Sequence, residues 1–179
     1  MSRIGGPARM GQMKSILGLV LLSTALMPAQ TAGPRWKNLE FLFGNWIGAG
    51  SGQPGAGQGE YSFQPEINNQ IIVRHNVAEY SSGPASGSRH DDLMIIYADT
   101  PKSAVRAIYF DSEGHTIRYT VATPAPTSVV FESEASQPGP RYRLTYVLEG
   151  RSLNGKFEMA DPGKAEYKTY LSWSSVRKP

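Results

Sequence analysis

The strand-like segments of this chain follow one another so closely that no stretch between them can house a crossover helix. They fall near 45–51, 58–64, 70–80, 91–98, 104–111, 115–122, 128–134, 141–149, 153–160 and 166–176, and almost no helical pattern interrupts them. The separators are rich in turn formers: Gln53-Pro54-Gly55, Pro65 to Asn69, Ser81 to Ser88, Asp99-Thr100-Pro101, Ser112-Glu113-Gly114, Pro124-Ala125-Pro126, Pro138-Gly139-Pro140 and Asp161-Pro162-Gly163. Strands joined by such short links pair antiparallel with their sequence neighbours. A row of ten must hide its two edges, and closing the sheet on itself does so. The expectation is an all-β, ten-stranded, antiparallel up-and-down barrel.

Period-two alternation separates the barrel faces. On 70–80 the apolar set is Ile71, Val73 and Val77 with His75 among them, and Arg74 and Asn76 take the other side. On 141–149, Tyr142, Leu144, Tyr146 and Leu148 oppose Arg141, Arg143 and Thr145. On 153–160, Leu153, Phe157 and Met159 oppose Lys156 and Glu158, and further on Leu171 and Trp173 oppose Ser172 and Ser174. The Asp111-to-His115 turn fits a short hairpin loop with Gly114 in the left-handed position, pairing Tyr109 with Ile117 and Ala107 with Tyr119. The expected interior holds Tyr109, Tyr119, Tyr142 and Tyr146, with Tyr167 as a further candidate.

Residues 1–32 read as a signal peptide. Arg3, Arg9 and Lys14 lead into the apolar run Ile16 to Met27, and small residues follow to Ala32. The run is shorter than the roughly 20 residues that cross a bilayer. Cleavage would leave one barrel domain over 33–179, exported to a periplasm or the cell exterior without a stable membrane span. All three basic residues of the leader leave with it, so the formal charge of +3 falls to zero, which argues against a nucleic-acid partner. The chain has no cysteine, which rules out disulfides and thiolate zinc sites.

Trp36 to Phe43 has the apolar spacing of a short amphipathic helical turn, ended by Gly44, and Gly44-Asn45-Trp46 opens the first strand. The short helix, this Gly-x-Trp start and the ten-strand meander over 36–177 resemble the calycin superfamily. Within it, the chain looks closer to bacterial lipocalin-like families of unknown function and to nitrobindin-like barrels. The resemblance implies that Trp46 packs at a closed end and that the opposite end is a ligand mouth. Nitrobindin-like proteins bind haem through a His near the C-terminus; Lys168 to Val176 contains none, so neither haem nor another cofactor is expected.

With Trp46 at the closed end, the mouth collects 50–59, 80–92, 111–115, 136–141 and 160–164. It gathers His90, Asp92, Asp111 and His115, along with Asp91 and Glu113. Imidazoles beside carboxylates suit acid–base work or a divalent cation, while a solvated polar rim is the plainer account. No metal-ligand spacing motif is met, so no metal site is assigned. The glycines of 48–59 precede no helix and no Lys-Ser/Thr, which excludes a nucleotide loop and leaves a flexible hairpin loop.

The resulting expectation is a barrel binding a small, partly apolar ligand, monomeric or homodimeric, and a binding protein rather than an enzyme. His75, Tyr109, Tyr119, Tyr142, Tyr146 and Phe157 would contact that ligand. If the facing were inverted, Arg74, Arg106, Arg118 and Arg143 would line an anion site. Two further alternatives stand: a hydrolytic or isomerising enzyme using His90, Asp92, Asp111 and His115, and an envelope interaction module with a solid core.

Overall fold

The computed structural model describes residues 34–100, 103–134 and 139–179. The proposed signal peptide lies outside these residues, as do parts of the 98–105 and 134–140 connections. Two 3-10 turns, Pro34–Trp36 and Glu40–Leu42, stand where one amphipathic turn was expected. Ten strands follow: β1 Gly44–Gly52, β2 Gly57–Glu66, β3 Ile71–Tyr80, β4 Arg89–Tyr97, β5 Arg106–Asp111, β6 Thr116–Ala125, β7 Ser128–Ser133, β8 Arg141–Glu149, β9 Ser152–Ala160 and β10 Lys168–Arg177. Each pairs antiparallel with its neighbours in sequence, and β1 pairs with β10 from Trp46↔Arg177 to Gly52↔Leu171, so the barrel is closed. Among the described residues, no helix is long and apolar enough to cross a membrane.

Register follows the turns. The β5–β6 hairpin sets Tyr109 opposite Ile117 and Ala107 opposite Tyr119, with Gly114 at φ +88° in its loop. At the other end, Ile67, Asn68 and Asn69 all have positive φ, near 50–63°. Their backbone bends so that Asn69 O accepts a 2.8 Å bond from Trp36 Nε1.

The N-terminal turns plug that end. Trp36, Leu42 and Trp46 are fully buried, and Trp46 Nε1 donates to Leu42 O at 2.8 Å. Arg177 lies over the Trp46 ring at 4.5 Å. Above the plug the barrel is packed. Phe63 and Tyr146 meet edge to face at 5.4 Å, and Phe131 and Trp173 flank the same tyrosine. Such aromatic contacts add to burial because ring edges and faces carry opposite partial charge.

The facing expected for β3 is inverted. Ile72 and Arg74 point inward and are 0% and 4% exposed, whereas His75 is exposed on the outside. The β3–β4 register explains this. Ile72 and Arg74 sit opposite Ile96 and Met94, both fully buried, and Asn76 sits opposite Asp92. Ile71, Ile72 and Val73 make both faces of the strand start apolar, so hydrophobicity alone does not identify the inner one. Arg74 is tolerated inside because Asp92 neutralises it and the Tyr61 and Phe63 rings lie beneath its guanidinium at 5.5 and 6.0 Å.

Candidate ligand cavity and its polar wall

The half of the barrel away from the plug is hollow. A cavity of about 670 Å³ opens at the mouth, so the solid-core alternative does not describe this interior. Glycines make part of the room. Gly48 and Gly50 of β1 and Gly57 and Gly59 of β2 line the cavity and belong to paired strands, so the expected loop is confined to the short link between them. Gly48, Gly50 and Gly52 continue the Trp46 face at period two. That spacing was the readable sign that β1 turns an almost bare surface inward.

Two mouth connections interlock over one side of the opening. Ala85 N donates to Pro54 O at 2.9 Å, Ser81 N donates to Ala56 O at 2.8 Å, and Ser82 Oγ accepts from Ala56 N at 3.1 Å. Pro54 and Ala85 both line the cavity beneath.

The remaining walls are chemically unlike. Strands β6 and β8–β10 contribute Ile117, Tyr119, Tyr142, Leu144, Phe157 and Trp173, with Tyr142 and Phe157 stacked at 5.7 Å. Strands β3–β5 contribute a hydrogen-bonded polar wall. Arg74 pairs with Asp92, and Asn76 Nδ2 donates to Asp92 Oδ2 at 2.8 Å. His90 Nε2 lies 3.2 Å from Asp92 Oδ2 and 3.2 Å from the Tyr109 hydroxyl, while its Nδ1 lies 2.8 Å from Glu113 Oε2. The Tyr109 hydroxyl also donates to Asp111 Oδ2 at 3.3 Å, and His115 Nδ1 lies 2.8 Å from the same oxygen.

Burial and partners set the charges along this wall. Burial disfavours the Arg74 cation, but Asp92 more than compensates and holds it charged. Burial likewise opposes a charged His90, yet the Asp92 and Glu113 carboxylates raise its pKa above the ordinary value. Burial pushes the Asp111 carboxyl up, but hydrogen bonds from the His115 backbone and ring and from Tyr109 leave it below the usual range. Burial pushes Tyr109, Tyr119 and Tyr142 up, so these phenols remain neutral donors.

The structure thus brings His90, Asp92, Asp111 and His115 together at the mouth, with Glu113 and Tyr109 linking them. Tyr109, Tyr119, Tyr142 and Phe157 line the cavity. His75 does not, because it faces outward on β3. Tyr146 is fully buried in the packed zone beneath and does not reach the cavity surface. Of the four arginines only Arg74 is interior. Arg106 pairs with Glu134 outside, Arg143 pairs with Glu158 and covers the outer Tyr167 ring, and Arg118 is exposed. The interior anion site built from all four is therefore excluded, since alternation turns Arg106, Arg118 and Arg143 away from the lumen.

Asn76, Tyr61 and Tyr80 line the cavity without having been singled out. Asn76 follows from the correct β3 phase, being two residues from Arg74, and Tyr61 follows from its pairing with Trp46 across β1–β2.

No family model matches the chain, and no curated protein matches it. Among solved structures it is similar to a de novo designed fluorescence-activating β-barrel, at 15% identity and TM-score 0.40, over 79% of this chain and 98% of that one. It is also similar to a redesigned β-barrel, mFAP0, solved bound to DFHBI, at 13% identity and TM-score 0.39, over 76% of this chain and 99% of that one.

Proposed function

We propose that the protein binds a small amphipathic molecule in the open half of its barrel. One observation carries this reading: a single cavity of about 670 Å³ has an aromatic and aliphatic wall facing a wall of fixed hydrogen-bonding groups. That volume lies within the usual range of small-molecule sites, about 300–1,000 Å³. The apolar part of the ligand would lie against Trp173, Phe157 and Leu144, where each Å² removed from water contributes about 25 cal/mol. Its polar end would face Asn76, His90 and Tyr109, whose donors and acceptors set its orientation. The calycin resemblance, which rests on Gly44-x-Trp46 and the meander, fits this use. Export after removal of residues 1–32 belongs to the same proposal.

Native mass spectrometry of the protein purified from its own host tests the reading, alongside binding of the amphipathic dye 8-anilinonaphthalene-1-sulfonate. The expected result is a co-purifying small molecule or a 1:1 dye complex, either one weakened in Met159→Trp, which narrows the cavity. An interior that takes neither would overturn it.

A second reading has one observation in its favour. His115 Nδ1 is held by Asp111, and its Nε2 has no hydrogen-bond partner among the described residues. An imidazole oriented by a carboxylate with its second nitrogen free can act as a general base. His90 is less suited to that role, because both its nitrogens face hydrogen-bonding partners. Turnover of a small ester or lactone that disappears in His115→Ala would establish the enzymatic reading.

A further inference from the structure

The mouth carries a constellation that organic-ligand binding does not require. His90 on β4, Asp111 at the end of β5 and Glu113 in the hairpin loop each offer one ligand atom, all within 4.8 Å of one another. We infer that these three side chains form a binding site for a divalent first-row transition cation.

The donor set is one imidazole and two carboxylates. Imidazole nitrogen favours zinc, iron, copper or nickel over magnesium and calcium, and the two carboxylates neutralise a doubly charged ion. Donors on one tetrahedral zinc at about 2.1 Å are about 3.4 Å apart. His90 Nδ1 and Glu113 Oε2, 2.8 Å apart, already approach within that spacing. Glu113 projects from an exposed turn and can move by the small amount that closure around an ion requires.

A second observation lies outside the three donors. With Nδ1 turned toward Glu113, His90 directs Nε2 at Asp92. The Asp92 side chain is only 3% exposed and is pinned by Arg74 and Asn76. A ligating histidine characteristically donates its other ring N–H to a carboxylate, which fixes the ring's orientation and tautomer. Asp92 occupies that supporting place and positions His90, leaving ligation to Glu113 and Asp111. Asp111 Oδ2 accepts from Tyr109 and lies 2.8 Å from His115 Nδ1, and an ion would take the place of those contacts. Three protein donors leave coordination to be completed by water or by a donor atom of whatever occupies the cavity. The cation site does not depend on the organic-ligand reading and can hold or fail separately.

Isothermal titration of the full-length protein with Zn²⁺ is the test, together with the visible absorption of its Co²⁺ complex. The chain has three histidines and no cysteine, so the background is small. Wild-type protein is expected to take up one equivalent. His90→Gln and Glu113→Gln should each weaken binding by at least roughly tenfold. His75→Gln, altered on the outer face, should leave it unchanged. The Glu113 variant changes an exposed turn residue and keeps the fold, which near-UV circular dichroism verifies. The proposal is overturned if neither ion binds, or if binding survives both mouth substitutions or is lost in His75→Gln.

Discussion

Trp173 lies across Gly155. The two residues face each other in the β10–β9 register, and a Cβ built on Gly155 would overlap the indole ring. Gly155 thus fixes where one side of the cavity's apolar wall stands. Gly155→Ala forces the indole toward the cavity or strains the strand pair. The expected cost is about 1–3 kcal/mol of stability, as for other overpacked sites. Chemical denaturation should detect that loss, and a titration with the dye described above should detect reduced affinity in the same variant.

Arg74 and Asp92 form an ion pair whose side chains are 5% and 3% exposed. Replacing Arg74 by Ala leaves a buried carboxylate without its guanidinium, and breaking such a pair costs about 3–5 kcal/mol. The double variant Arg74→Met, Asp92→Leu removes both charges and should regain most of that loss. Urea unfolding of wild type, both single variants and the double variant measures the coupling directly.

Glu158 sets an acid limit on stability. Burial opposes its charge, but Arg143 at 2.8 Å and Lys156 at 3.0 Å bring its pKa below the ordinary value of 4.5. A depressed folded-state pKa contributes stability that is fully present above about pH 4.5 and is lost as the pH falls through the folded value. The stability difference between wild type and Glu158→Gln should therefore shrink on acidification through that window. Thermal melts of both proteins from pH 7 to pH 3 would expose a contrary result as a constant gap.

Ile67 is 68% exposed and sits at φ +50°, a conformation that a β-branched residue adopts at a cost. Left-handed geometry is worth about 1–2 kcal/mol against such residues, and asparagine bears it better. Ile67→Asn should raise the melting temperature without altering the bond from Trp36 to Asn69. A lowered melting temperature would mean that the isoleucine side chain contributes packing unseen in its exposure.

Strand order and most strand limits were legible because turn chemistry punctuates nearly every segment and β8 and β9 alternate cleanly. The Tyr109–Ile117 register was readable for the same reason, since the length of the hairpin loop and the placement of Gly114 fix it. The phase of β3 was not, because Ile71-Ile72-Val73 satisfies both faces. The information that resolves it is the cross-strand partnership of Arg74 with Asp92, from residues 18 apart in sequence. The displacement of Tyr146 below the cavity was similarly hidden. Alternation reports which side of a strand a residue takes, but not its height along the barrel axis relative to the void. The convergence of His90 with Glu113 depends on β4 and the β5–β6 loop ending level, a property of the closed barrel's stagger rather than of either segment.

The plug formed by Trp36, Leu42 and Trp46 makes the molecule a container and not a conduit. Whatever occupies the lumen must leave past the rim it entered, so an incoming molecule cannot push a resident one out from behind. A ligand held there as proposed would exchange by dissociation, past the interlocked Pro54 and Ala85 loops and the His90–Glu113 contact on the same rim.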